Sequence, residues 1–277
     1  MISNTVKSLI AASVLVLSAT TFAAESKEDP LKSVMWDFLV KNELQIDPKK
    51  ITFDDRVKVY APDSVEDGMN VPVSVRVTGI DDIEEIVVLA DHNPIQRALN
   101  FFPGEADPFI AFRMKVQEAT PIRAVVRTAA GNWHVGSVWL DAPGGGCTTP
   151  SVSQADRLWE DSLNLIGAQV WQKPDGGNRL RLRIIHPMDT GLVSRIPAFF
   201  LETMFLKTMD GAKTLAHLET FEPISENPVF TFSVPPESTN GQGYQLVGRD
   251  NNGNDFLAKV NTSGSKLDLE SMVANHE

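Results

Sequence analysis

The sequence predicts an all-β protein, two β-sandwich domains preceded by a short helix, and three observations carry that prediction. β-Branched residues alternate along short segments, and turn-forming residues interrupt those segments at close intervals. The composition, 42% hydrophobic and 22% charged over 277 residues, is that of a folded globular chain.

Residues 1–23 read as a Sec-type signal peptide: Lys7 ends a short positive start, Ser8 to Leu17 is apolar, and Thr21-Phe22-Ala23 offers a small residue for cleavage. The apolar run is too short to span a bilayer and no later stretch approaches its hydrophobicity, so no membrane insertion is expected of the mature protein. Roughly 250 residues then remain, enough for one large domain or two of ordinary size. Residues 24–50 hold the helical segment, with Asp29-Pro30 as acidic cap and first helical residue, and Leu31, Met35, Phe38 and Leu39 at helical spacing.

The first sandwich is expected over 51–141. Val57 and Val59, then Val71, Val73, Val75 and Val77, fall on one face of extended segments, while Ile86 to Leu89 and Ile122 to Val126 read as more fully buried strands. Glu66-Asp67-Gly68, Gly79, Asn93-Pro94, Phe102-Pro103-Gly104 and Ala130-Gly131-Asn132 separate them. A glycine-rich arm and linker over 142–161 leads to the second sandwich over 162–277. That half carries Gly167 to Trp171, the hairpin signal Asp175-Gly176-Gly177-Asn178, Leu180 to Ile184, Val229 to Val234, Tyr244 to Val247 and the turn Asn251-Asn252-Gly253-Asn254.

Cys147, the only cysteine, follows Gly144, Gly145 and Gly146. Three consecutive glycines carry maximal backbone freedom, so the sequence predicts a thiol held in solvent on a flexible arm. One cysteine excludes an internal disulfide and leaves a free thiol, a covalent adduct, or a disulfide-linked dimer through Cys147. It also excludes a multi-thiolate metal cluster, and His92, His134, His186, His217 and His276 show no close ligand spacing, so neither metal nor cofactor is expected. The arm contains no Lys, Arg or His, and such a thiol is expected near the ordinary value of about 8.5. Net charge is −11, which disfavours nucleic acid and permits steering toward basic protein surfaces.

The remaining motifs have plainer readings. Asp189-Thr190-Gly191 would need a second facing carboxylate for aspartic protease chemistry, and the sequence contains no second copy. Asp175-Gly176-Gly177 and Gly241-Gln242-Gly243 lack the strand-to-helix context of phosphate loops. Trp133, Trp139 and Trp171 read as core or interface aromatics, and Asp54-Asp55, Asp81-Asp82 and Glu84-Glu85 as solvated loop charges.

The chain resembles a natural fusion of the SoxY-like and SoxZ-like halves of the periplasmic SoxYZ sulfur carrier. Ala61-Pro62, Glu66-Asp67-Gly68, Val71-Pro72-Val73, Asn93-Pro94, Phe109 to Met114, Ile122 to Val126 and Gly144-Gly145-Gly146-Cys147 are similar in order and spacing to the SoxY pattern. Ile185-His186-Pro187-Met188-Asp189-Thr190-Gly191 and Glu226-Asn227-Pro228-Val229-Phe230 look like SoxZ segments. Fused SoxYZ-like carriers associated with quinoprotein dehydrogenases are similar throughout.

The resemblance implies two immunoglobulin-like sandwiches in a periplasmic, non-catalytic carrier of thiosulfate-type or sulfane sulfur, with Cys147 as covalent attachment point. It implies a Sox-type c-type cytochrome and sulfur-processing enzymes, or a quinoprotein dehydrogenase system, as partners. His186 lies in the SoxZ-like motif, where it either fixes a loop or receives the arm. Two features depart from the family pattern. The family cysteine sits on a free C-terminal tail, whereas Thr148-Thr149-Pro150 follow Cys147, and no arginine pair precedes the apolar run as it does in twin-arginine export signals. The alternative expectation is a non-catalytic periplasmic adaptor that docks a quinoprotein dehydrogenase or c-type cytochrome, with the thiol incidental.

Overall fold

The computed structural model describes residues 25–26, 28–152, 159–238 and 241–262, so the expected signal peptide, His276 and part of the linker lie outside the described residues. The first half contributes β1 (Glu25–Ser26), a helical turn α1 (Trp36–Phe38) continued as a wider π-helical segment Leu39–Leu44, and β2 (Ile51–Asp54) to β3 (Val57–Tyr60). β4 (Val71–Val77), β5 (Ile83–Ala90), β6 (Arg97–Phe102), β7 (Phe109–Met114), β8 (Thr120–Thr128) and β9 (Trp133–Leu140) complete it. The second half adds β10 (Ile166–Gln172), β11 (Asn178–Ile184), β12 (Asp189–Thr190), β13 (Ala198–Phe199), β14 (Leu201–Thr208) and β15 (Thr214–Thr220). β16 (Val229–Val234), β17 (Tyr244–Asp250) and β18 (Asp255–Val260) end the described fold.

Alternation in sequence becomes alternation in burial: β4 and β11 each place every second residue inside, the valines of β4 and Leu180, Leu182 and Ile184 of β11. β5 and β8 are buried over most of their length because they are covered on both faces, in keeping with the apolar run Ile86 to Ala90 of β5 and with β8, where Arg123 alone interrupts Ile122 to Val126.

The halves do not stand as separate sandwiches joined by a linker. One ten-stranded sheet runs β1-β2-β9-β8-β5-β6-β15-β14-β17-β18, and a six-stranded sheet runs β10-β11-β16-β7-β4-β3. Both cross the boundary between halves. β6 pairs antiparallel with β15, Leu99 opposite Thr220 through Phe102 opposite His217. β7 pairs with β16, Ile110 opposite Phe232 and Ala111 opposite Thr231. A single apolar core fills the space between the sheets, with Phe101 of β6 meeting Phe232 of β16 at 6.0 Å between ring centroids.

The N-terminal segment packs on the first half as expected, but its helix begins at Trp36, not at Asp29-Pro30. Asp29 instead folds a turn, accepting the amides of Leu31 (3.1 Å) and Ser33 (2.9 Å), and spends its carboxylate on Arg123. Trp36, Leu39, Val40 and Ile46 are buried against Ile51, Phe53, Val87, Leu89, Val125 and Val135, while Phe38 faces outward.

Arg123 is the pin beneath this layer. Its fully buried guanidinium is forked by Asp91, at 2.8–3.0 Å, and by Asp29, at 2.9 Å on both arms, and lies 4.4 Å from the Trp36 ring. Burial works to raise the Asp29 pKa, yet the Arg123 guanidinium outweighs it and holds the carboxyl below its ordinary value. Asp54, expected as a solvated loop charge, is likewise buried, bonded by Arg56 at 2.6 Å and His134 at 2.8 Å, because β2 carries it inside a parallel pairing with β9.

Asp91→Ala should destabilise the fold by about 3–5 kcal/mol in chemical denaturation, because Arg123 keeps its buried charge and loses one of two counter-ions. The Asp29 contribution has a depressed folded pKa, so it is complete above the ordinary carboxylate range and is lost as pH falls through it. In Asp29→Asn that acid-side loss should be smaller, as read by denaturation at a series of pH values.

Candidate functional site

Cys147 sits where the first half ends and the second half reaches back across it. After β9, Asp141 pairs with the 63–65 segment: its amide donates to Asp63 O and its carbonyl accepts from Val65, both at 2.9 Å. The chain then turns over Gln117. Gly145 N donates to Gln117 O at 2.9 Å, and Cys147 N donates to Gln117 Oε1 at 3.2 Å. Asn93 Oδ1 accepts the Gln117 amide at 2.8 Å, and Asn93 Nδ2 donates to Lys115 O at 2.9 Å, so the 91–93 turn fixes the 115–117 strand end.

The sequence reading placed this thiol in solvent, and the structure corrects it: Cys147 is 0% exposed. The glycines do different work from that expected. A Cβ at Gly146 would lie 2.3 Å from both Gly68 O and Val116 O, so glycine here permits the chain to press against backbone. Gly145 has φ of +99°, which an L side chain rarely adopts. Gly144 meets nothing closer than 3.7 Å. The segment is seated by close backbone approach and does not swing free in this structure.

The expectation of an ordinary thiol on an arm without Lys, Arg or His is also corrected, because a cation from elsewhere in the chain lies near it and burial shifts its pKa. Lys115, 1% exposed, follows β7 directly, and its backbone carbonyl accepts the Cys147 thiol at 3.8 Å. Its ammonium donates to Met188 O and is attracted by Asp189, Cys147 and Glu226. Burial brings this ammonium down to about 8 against that attraction. Burial pushes the Cys147 thiol up to about 11, and Lys115 pulls the other way without prevailing. A thiol at that value is ionised to about one part in ten thousand at pH 7, so Cys147 in its seat is a poor nucleophile.

The second half supplies the floor. Thr190 Oγ1 donates to Cys147 O at 2.8 Å, and Ser151 Oγ donates to Asp189 Oδ1 at 2.9 Å, so the Asp189-Thr190-Gly191 motif clasps the chain at the cysteine and again four residues beyond it. His186, fully buried, accepts the Met188 amide through Nδ1 at 3.1 Å and faces Asp250 Oδ2 with Nε2 at 3.8 Å. Burial lowers its pKa although Asp250 opposes, so the imidazole is neutral at neutral pH. Its position shapes the 186–190 loop, whereas the polar side chains that reach Cys147 among the described residues are Gln117 and Thr190.

Lys115, Gln117, Asn93 and Thr190 complete a seat that sequence reasoning did not assemble. Local alternation hides Lys115, since Arg113 faces out and Met114 in, which would place Lys115 outward, whereas it is buried. Of the aromatic candidates, Trp139 is 44% and Trp171 39% exposed, so both lie at the surface instead of in the core.

The Cβ chemical shift of isotopically labelled Cys147 should report thiolate formation only near pH 11 in the folded protein, against about 8.5 after denaturation. A folded-state midpoint at the ordinary value would contradict the seat described above.

Residues 41–147 match the family model of sulfur oxidation protein SoxY, and residues 169–261 that of sulphur oxidation protein SoxZ. No curated protein matches the chain. Among solved structures, the sulfur carrier protein SoxY from Chlorobium limicola f thiosulfatophilum is 20% identical, with a TM-score of 0.34 over 39% of this chain and 96% of that one. The superoxide reductase (neelaredoxin) from Ignicoccus hospitalis is 19% identical, with a TM-score of 0.27 over 31% of this chain and 80% of that one. Both likenesses are too distant to speak about function. With a SoxY-type half that ends on Cys147 and a SoxZ-type half that supplies the floor beneath it, the chain is a fused SoxYZ-like protein.

Proposed function

We propose that this protein is an exported, periplasmic carrier that binds sulfur intermediates covalently on Cys147 and presents them to separate enzymes, itself catalysing nothing. The observation that carries this reading is the position of the sole cysteine, at the last residue of the SoxY match and in a seat made by both halves. The carrier chemistry of the family comes to this chain through that residue, and export through the signal-like residues 1–23.

A thiol held at about 11 does not attack unaided, so loading is the work of a partner. Joining thiosulfate to Cys147 forms an S–S bond between Sγ and the terminal sulfur, releases the thiol proton, and delivers two electrons to an acceptor such as a c-type cytochrome. The product carries a sulfonate where Cys147 now has atoms on every side, so the loaded residue leaves its seat. Release breaks the bonds from Gly145 N, Cys147 N and Thr190 Oγ1. At about 0.5–1.5 kcal/mol each, together about 1.5–4.5 kcal/mol, they keep the seated form dominant while leaving the lifted form thermally accessible.

Reach is set by the tether. Cys147 is only four residues from Ser151, which is clasped by Asp189, so the lifted thiol extends no more than about 14 Å from that anchor. Partner sites must therefore admit a doubled strand at shallow depth, unlike sites entered by a free tail.

Protein purified from cells oxidising thiosulfate should show intact-mass adducts that vanish on reduction and are missing from Cys147→Ser. Unmodified protein alone under those conditions would count against the carrier.

A further inference from the structure

The six-stranded sheet has an outer face whose charge is opposite to that of the whole chain. Asp and Glu number 36 in the sequence, yet β3, β4, β7, β10, β11 and β16 contain none. The same strands present Arg113, Arg179, Arg181 and Arg183 outward, together with Lys58 and Arg76. Register places them side by side. Arg183 stands opposite Val229, and Arg181 opposite Thr231, which is itself opposite Ala111 of β7, so a single β16 residue separates Arg181 from the strand that carries Arg113. Lys58 lies 3.8 Å from Asp55, and Arg76 stacks 4.5 Å over Phe109. Among the described residues, Arg179, Arg181 and Arg183 form no ion pair.

Aromatic side chains border this charge. Trp171, opposite Arg179 on β10, and Tyr60 on β3, 54% exposed, stand on either side of a groove of about 500 Å³ that Arg113, Arg179 and Arg181 line. A second groove of about 430 Å³ shares Arg113 and Arg181 with the first and runs on past Arg183 to Asp67 and Val152. Asp67 precedes Gly68, whose carbonyl meets Gly146, and Val152 follows the Ser151 anchor of the Cys147 segment. The basic face thus borders a groove that runs past the carboxylates of Asp67 and Glu226 to the segment that holds the thiol.

We infer that this face, from Trp171 and Tyr60 through Arg179, Arg181 and Arg183, is the docking surface for an acidic protein surface on the enzyme that reads Cys147. The inference rests on the carrier reading for the identity of that enzyme. Arg, Trp and Tyr are the residues that dominate protein interfaces, and these guanidinia, Arg179 lying 5.9 Å over the Phe109 ring, break no internal ion pair when they bind carboxylates. Six strands of about seven residues span roughly 25 Å by 20 Å, or about 500 Å² on each side. That area is typical of a transient encounter and fits a carrier that must leave each partner after delivery. Charge steering at such a face speeds encounter and fades with salt.

The test has two arms. An oligoglutamate peptide, standing in for the acidic partner, is titrated at low salt into isotopically labelled protein, beside thiosulfate and sulfate at matched charge. The amides of Arg179, Arg181 and Arg183 and the Trp171 indole should shift with the peptide, and Arg179→Glu with Arg181→Glu should weaken binding roughly tenfold or more. The Lys pair at the same positions keeps the charge and should bind near wild type, which separates charge from misfolding. Shifts centred elsewhere, or equal shifts with the small anions, overturn the assignment to a protein partner.

In cells oxidising thiosulfate, the Glu pair should carry much less Cys147 adduct than wild type. Adduct present in wild type and undiminished in the Glu pair overturns the docking face. Wild-type protein that binds peptide but never carries adduct overturns the carrier reading and, with it, the identity given to the partner.

Discussion

The pairing of β6 with β15 and of β7 with β16 is the constraint on which the rest of this molecule depends. Each half alone would end in strands with open hydrogen-bonding edges and apolar side chains without partners. Joined, they make two continuous sheets and one core, and Phe101 and Phe232 meet across what would otherwise be a domain boundary. The same pairing lays the 223–225 segment beside the end of β7, where Lys115 N donates to Pro223 O at 2.6 Å, and brings the 186–190 loop under the cysteine. The seat of Cys147 is therefore a property of the assembled pair and of neither half.

Opposed electrostatic effects set the character of that seat. Burial disfavours both the thiolate of Cys147 and the ammonium of Lys115, and their mutual attraction recovers only part of the cost. The result is a quiet thiol, closed against adventitious chemistry. Backbone hydrogen bonds and close glycine contacts hold it there, interactions weak enough to be replaced when a partner engages the segment. The structure thus joins a protected resting state to a basic face whose bordering groove runs to the segment that holds the thiol.

Much of the fold was legible in the sequence because strand periodicity is local. The valines of β4, the arginine-leucine alternation of β11 and the apolar run of β8 each announce their burial. Two of the strands that join the halves were silent: β6 and β15 set Asn100, His217 and Glu219 among their apolar residues, and their meaning lies in partners far along the chain. Cys147 itself was legible as the site. Its burial was not, because a glycine run signals freedom locally, while the contacts of Gly146 with Gly68 and Val116 are made across the fold. The Asp29 turn misled in a similar way, since its helix-cap chemistry is used to grip Arg123.

Hydrogen exchange before and after loading tests the central claim, that one seat formed by both halves closes over the thiol and opens for cargo. Reaction of the unfolded protein with tetrathionate, where the thiol titrates at its ordinary value, converts Cys147 to the S-thiosulfonate and releases thiosulfate, and refolding then gives a homogeneous loaded protein without any partner enzyme. The account predicts that the amides of Gly145, Cys147 and Thr148 lose protection on loading, while those of β7 and β16 keep theirs. Unchanged protection at Gly145 and Cys147, in protein whose mass shows the adduct, would contradict it.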